Sequence, residues 1–230
     1  MHETLKEKVL EANLDLVRHG LVLFTWGNVS ERDPESGHIV IKPSGIDYDT
    51  MKPSDMVVLD ASGEKVEGAL RPSSDAPTHV ILYQHFQGIG GVVHTHSEWA
   101  TSWAQSGRSL PPYGTTHADY FYGAVPCTRP LTREEVEGAY EANTGKVIVE
   151  SIPEEQALNT PGVLVHGHAP FTWGKDAGEA VYHAVVLEEV AKMAFRTEML
   201  GQHTPIGKYL LDKHYLRKHG KDAYYGQKPE

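Results

Sequence analysis

In the segment Gly91-Val92-Val93-His94-Thr95-His96, two histidines stand two residues apart at the end of an apolar, β-branched run. On a strand, residues i and i+2 point to the same face. Both imidazoles therefore project together from a stiff support. The arrangement recurs at Val163-Leu164-Val165-His166-Gly167-His168. Two such pairs, each closing an apolar strand, predict one metal ion gripped by two chain segments. Neutral imidazole suits zinc above all, and also copper, iron or nickel. A catalytic zinc keeps three protein ligands and leaves room for substrate. His94 and His96 supply two. His166 or His168 supplies the third, and spacing does not choose between them. Asp75 is either a fourth ligand, a partner of the ligands, or simply the N-cap of the helix that follows it. The competing reading of the four histidines is two surface pairs at strand ends.

Three polar turns offer groups for a phosphate: Gly27-Asn28, Lys42-Pro43-Ser44-Gly45 and Ser73-Ser74. They carry backbone N–H groups, hydroxyls and one ammonium. Ser73 and Ser74 precede a helix N-terminus, where the dipole and the free N–H groups favour an anion. Serine and glycine are also what ordinary turns use. There is no P-loop and no G-x-G-x-x-G, so a nucleotide cofactor is not indicated. The stretch Thr115-Thr116-His117-Ala118-Asp119-Tyr120-Phe121-Tyr122-Gly123 packs acid, imidazole and phenols together. Aromatic clusters usually serve packing. An acid in such a partly dry setting has a raised pKa and suits proton transfer. Asp119 is that candidate. Tyr224-Tyr225 is aromatic where termini usually fray, which reads as a docked tail.

The elements that must hold these groups are partly legible. Thr4-Leu5-Lys6-Glu7 is a capping box, opening a helix with Leu5, Val9, Ala12 and Leu16 on one face and His19-Gly20 at its end. Strands are expected at 25–30, 38–42, 56–60 and 65–68. Ser73-Ser74-Asp75 caps a helix with Pro77 in its first turn. Ser97 caps a short helix holding Trp99 and Trp103. Thr132 and Glu135 form a second capping box, for a helix ending near Gly145. Lys146-Val147-Ile148-Val149-Glu150 reads as strand. Asp176 with Glu179 starts the longest helix, with Val181, Ala184, Val185, Val190 and Phe195 available for burial. The segment after Gly207 is helical at first. Strands come in runs with short turns, so the expectation is one α/β domain, a mainly antiparallel sheet covered by helices.

Composition narrows the function. The chain has 230 residues and is 40% hydrophobic, enough for a proper core. With 21 basic against 31 acidic residues the net charge is −10. That argues against general nucleic-acid or anionic-membrane binding but not against one phosphorylated substrate. No run approaches the ~18 apolar residues of a membrane helix, and the polar N-terminus lacks a signal-peptide pattern. The single cysteine, Cys127, fits a reducing compartment. A cytoplasmic protein is expected.

Six stretches together carry a resemblance: Thr25-Trp26-Gly27-Asn28-Val29-Ser30, Ile41 to Gly45, Ser73 to His79, Val93 to His96, Thr115 to Gly123, and Leu211 to Gly220. They resemble the class II aldolase/epimerase family of zinc proteins, over essentially the whole chain. The resemblance implies a three-layer α/β/α fold. It also implies a homotetramer of four-fold symmetry with sites at subunit interfaces. His94, His96 and His168 match the zinc ligands, and Asp75 a carboxylate at or beside the metal; cobalt or manganese could replace zinc. Gly27, Asn28, Ser44, Gly45, Ser73 and Ser74 match substrate and phosphate loops. Asp119 and Tyr225 match two proton-transfer residues, and Lys42, Thr115 and His214 further active-site positions. Residues 1–230 would form one such domain, with the tail from about 208 to 230 reaching a neighbour's site. The three residues after Gln227 look like an extra tail, and Gly167-His168-Ala169 stands where Ser-His-Gly is expected.

The implied reaction is C4 epimerisation of L-ribulose 5-phosphate to D-xylulose 5-phosphate, by breaking and re-forming C3–C4. It would serve arabinose or another pentose route. The runner-up is a sugar-phosphate aldolase of the L-fuculose 1-phosphate type. Those enzymes carry a longer glutamate where this chain has Asp75. A non-catalytic metal-binding protein on the same fold would hold a metal without turnover. A zinc hydrolase lacks support, since there is no His-Glu-x-x-His helix.

Overall fold

The computed structural model describes residues 2–225. The first helix, α1 (Glu3–Arg18), leads to four strands: β1 (Gly27–Arg32), β2 (Ile39–Ile41), β3 (Val57–Leu59) and β4 (Lys65–Glu67). Next come α2 (Ala76–His85), β5 (Gly91–Thr95), α3 (Glu98–Gln105) and α4 (Thr115–Ala118). After a loop follow α5 (Arg133–Glu137), α6 (Tyr140–Ser151) and α7 (Glu154–Ala157). Two strands, β6 (Gly162–Leu164) and β7 (Pro170–Gly174), precede the long α8 (Ala177–Met199) and α9 (Lys208–His219). The seven strands form one sheet in the order β4-β3-β2-β1-β5-β7-β6. Every neighbouring pair is antiparallel.

Strand alternation sorts the core into two faces. Ile39, Ile41, Val57, Leu59 and Val92 pack with Val80 and Leu82 of α2 and Ile148 of α6. The residues between them, Val40, Val58 and Val93, pack instead with Val9 and Leu16 of α1 and Ala180 and Ala184 of α8. The sheet is thus the middle of three layers, as expected. Full burial of such a side chain stabilises by roughly 1.5–3 kcal/mol. His94 follows Val92 by two, so it lies on the α2/α6 face of the sheet.

Several local expectations are corrected. Residues 146–150 are helical, the middle of α6. Their β-branched run suggested a strand, but Val147 and Ile148 are buried at helical spacing, and Gly145 lets α6 approach Ile81 of α2. The helix that Thr132 and Glu135 cap is short, ending at Gly138. The Thr4 capping box does not form: α1 starts at Glu3, with the His2 carbonyl accepting from the Lys6 N–H at 2.8 Å. Ser97 occupies the N-cap of α3 without a side-chain bond; the Glu188 carboxylate accepts from the Trp99 and Ala100 N–H groups instead. Phe195 is exposed. The capping of α8 by Asp176, which accepts from the Glu179 N–H at 2.8 Å, is as expected. The tail after Gln227 lies outside the described residues. No helix among the described residues is long and apolar enough to cross a membrane.

Candidate active site

The site begins with strand register. In the sheet, Asn28 of β1 stands opposite His94 of β5, and His94 opposite Phe171 of β7. Directly opposed residues share a face, so amide, imidazole and phenyl form one row across three strands. His94 stacks on Phe171, with ring centroids 4.2 Å apart and planes 17° from parallel. Its Nδ1 lies 3.0 Å from the Pro170 carbonyl oxygen. A carbonyl can only accept, so Nδ1 carries a proton, which in the neutral tautomer leaves the lone pair on Nε2. Gly27, beside Asn28, must be glycine: a Cβ there would sit 2.6 Å from Val22 and 3.0 Å from the His94 carbonyl oxygen.

His96 follows just beyond the end of β5. The second His-x-His does not lie on a strand, contrary to expectation: β6 stops at Leu164, and residues 166–168 turn towards β7. Gly167 takes φ +69 in that turn. The turn separates the two rings. His166 packs over Gly107, whereas His168 joins His94 and His96. The three ring centroids are 4.9, 4.9 and 5.0 Å apart. One ring nitrogen from each lies within 4.8 Å of the others. Partial desolvation of its ring, and then the neighbouring His94, lowers the pKa of His96; burial, and then His94, pushes that of His168 down to about 4. Neutral imidazoles with converging lone pairs fit a divalent cation, since protonated rings would repel both it and each other.

Asp75 occupies the N-cap position of α2, but its side chain makes no capping bond among the described residues. Its Oδ2 accepts from Asn28 Nδ2 at 2.7 Å. Burial opposes ionisation of Asp75, but His94, His79 and the Asn28 amide outweigh it and hold its pKa below the usual range. Beneath lies His79, fully buried, with Nδ1 2.7 Å from Ser30 Oγ. Burial pushes its pKa down to about 3.

The three polar turns converge on the same place. Segments 42–44 and 71–73 are stitched together, with the Ser73 N–H donating to the Lys42 carbonyl (2.9 Å) and the Ser44 N–H to the Arg71 carbonyl (3.0 Å). Lys42 is buried, its ammonium donating to the Pro43 and Ile46 carbonyls and lying over the Tyr48 ring. Burial lowers its pKa to about 8. A cavity of about 780 Å³ is lined by Gly27, Asn28, Lys42, Ser44, Gly45, Ser73, Ser74, Asp75, His94, His96 and His168. Sequence reasoning missed one wall, the α3 residues Glu98, Thr101, Ser102 and Gln105. A polar i, i+3, i+4, i+7 stripe directly after the first His-x-His was the available signal. It also missed Tyr140 and Glu141 at the start of α6. No spacing in the chain links them to the histidines.

Asp119, Thr115, His214 and Tyr225 do not line this cavity. They gather where α9 packs against α4. Asp119 Oδ1 lies 3.0 Å from His214 Nδ1, and Oδ2 2.9 Å from Arg217 Nη2. Burial works against the Asp119 carboxylate, but the bonds from Arg217 and His214 outweigh it and lower its pKa. The sequence-level expectation of a raised pKa is thereby corrected. Tyr225, 60% exposed, covers Arg217 and Lys218. His117 is buried beneath, and its Nε2 donates to the Gly123 carbonyl at 2.7 Å.

A three-layer antiparallel fold with an imidazole triad at one sheet face defines a class of protein. Residues 7–195 match the class II aldolase and adducin N-terminal domain, and the chain belongs to that family. Within it, the chain is 59% identical to the L-ribulose-5-phosphate 4-epimerase UlaF of Salmonella paratyphi C, over 98% of this chain and the whole of that one. The UlaF protein of Salmonella typhi matches to the same extent. Among solved structures, an L-fuculose 1-phosphate aldolase superposes with a TM-score of 0.82 at 25% identity, covering 95% of this chain and 98% of the other.

Proposed function

We propose that the protein interconverts L-ribulose 5-phosphate and D-xylulose 5-phosphate with a zinc ion held by His94, His96 and His168. The observation that carries this reading is the imidazole triad opening into a cavity bordered by two stitched, serine-bearing turns. The name of the relatives at 59% identity supports the substrate. When bound, zinc supplies Lewis-acid stabilisation of negative charge developing on the C2 and C3 oxygens of the sugar.

The chain's own residues do the rest. C4 carries no acidic hydrogen, so its inversion requires C3–C4 to break and re-form. The Ser44 and Ser74 hydroxyls, the N–H groups at the start of α2 and the Lys42 ammonium hold the phosphate, so the two-carbon fragment stays while its aldehyde turns over. Asn28 holds the Asp75 carboxylate in the wall of the cavity beside the imidazoles. One group must take the proton of the C4 hydroxyl and another return one from the opposite face. Asp119 and Tyr225 of a neighbouring chain fill these roles. The separation of their cluster from the cavity of their own chain, and the exposure of Tyr225, support a shared site. The segment from about residue 208, with Asp119 held against it by His214 and Arg217, is the part that reaches across in a four-fold tetramer.

The aldolase reading shares this fold and metal site, and the TM-score of 0.82 fits it equally. Asp75, one methylene shorter than the glutamate of those enzymes, favours the epimerase. The test is to incubate the purified protein with L-ribulose 5-phosphate and identify products by NMR, with and without a chelator. Chelator-sensitive D-xylulose 5-phosphate is expected. Release of dihydroxyacetone and glycolaldehyde phosphate without epimer would establish an aldolase, and no conversion at all would overturn both.

A further inference from the structure

A histidine that holds a metal through one nitrogen needs a partner for the other, because that bond fixes both the tautomer and the tilt of the ring. His94 has the Pro170 carbonyl. His168 stands in a turn, where no strand stiffens it, so its second nitrogen matters more. The atom beside His168 Nδ1 is the Tyr140 hydroxyl, at 3.4 Å, with the two rings tilted by 39° and their centroids 6.2 Å apart.

Tyr140 is itself well fixed. It is the first residue of α6, and its carbonyl accepts from Thr144 Oγ1 at 2.9 Å. The next carbonyl, of Glu141, accepts from Thr78 Oγ1 of α2 at 2.6 Å. The helix that begins beside Asp75 thus anchors the backbone that carries Tyr140. The phenol is half-buried and lines the cavity, so packing alone does not account for its hydroxyl.

We propose that Tyr140 is the positioning residue of His168: its hydroxyl accepts the Nδ1 proton and so turns Nε2 towards His94 and His96. At 3.4 Å the bond is long. Charge withdrawn through a ligated Nε2 makes Nδ1–H a stronger donor, which shortens it. Three ligands, two from one strand end and one from a turn, then act as a rigid set. The inference rests on the metal assignment of the preceding subsection.

The test uses the zinc-loaded protein and Tyr140→Phe, which keeps the ring and removes the hydroxyl. Zinc affinity is measured by competition with a chromophoric chelator. Tyr140→Phe is expected to bind zinc roughly 10–100-fold more weakly, with the unfolding temperature of the metal-free protein unchanged. The visible spectrum of the cobalt-loaded form should change as well. In a His168→Ala background the same substitution should have no further effect on affinity, because the ligand it serves is gone. Equal affinity and an identical cobalt spectrum in Tyr140→Phe would overturn the proposal. Should that variant fail to fold, ¹⁵N-histidine NMR of the unaltered zinc protein decides: His168 protonated on Nδ1 is expected, and zinc on Nδ1 would overturn it. If zinc affinity of the parent does not depend on His168 at all, the metal assignment itself has failed, a result separate from either outcome above.

Discussion

Asn28 donates to Asp75 across 2.7 Å, and this bond draws the carboxylate away from the helix whose N-cap it occupies. Asp75→Asn should therefore leave stability nearly unchanged, since no capping bond is lost. Turnover should fall at least tenfold. Thermal melts beside steady-state kinetics check this. Unchanged kinetics in Asp75→Asn would take the carboxylate out of the reaction, and asparagine, which caps a helix as well as aspartate does, keeps the stability of α2 out of the comparison.

His96→Asn should remove metal and activity together while the fold persists. His96 lies beyond the strand end and is exposed, whereas His94 is 2% exposed and packs in the core. The substitution therefore opens no cavity. Metal analysis of the purified variant is the measurement; a full complement of zinc would remove His96 from the ligands.

Lys42 makes phosphate binding pH-dependent. Burial lowers its pKa to about 8, so the ammonium is charged below that pH and neutral above it. The KM for the phosphorylated ketose should rise as pH passes upward through about 8. The alkaline limb should vanish in Lys42→Arg, whose side chain stays charged. Ser74→Ala should likewise impair the phosphorylated ketose more than the unphosphorylated one, since a charge-assisted hydrogen bond is worth roughly 1.5–3 kcal/mol. Equal losses on both substrates would make Ser74 an ordinary turn residue.

Two inactive variants, His96→Asn and Tyr225→Phe, should complement each other when mixed under conditions of subunit exchange. A site needs an intact imidazole triad on one chain and an intact tyrosine on its neighbour. In a ring of heterologous contacts with random mixing, about a quarter of sites regain both. If both groups came from one chain, no site could recover. Activity at the background of the separate variants, despite demonstrated exchange, would take Tyr225 out of the neighbour's site.

The sequence by itself determined what is local and periodic. Alternation through Val92, Val93 and His94 set the faces of the central strand, and the His94–His96 spacing announced a ligand pair. The caps at Thr132 and Asp176 were written in adjacent residues. What tertiary structure decided is everything that depends on where separate segments meet. His168 rather than His166 joins the triad because the chain turns at Gly167, which spacing cannot express. Residues 146–150 are helical because α2 offers α6 a groove beside Gly145, and packing overrides the β preference of Val147-Ile148-Val149. The lowered pKa of Asp119 comes from His214 and Arg217, about a hundred residues further on. Side-chain chemistry is fixed by type, but its pKa and its partners are fixed by neighbours, and only the folded chain supplies those.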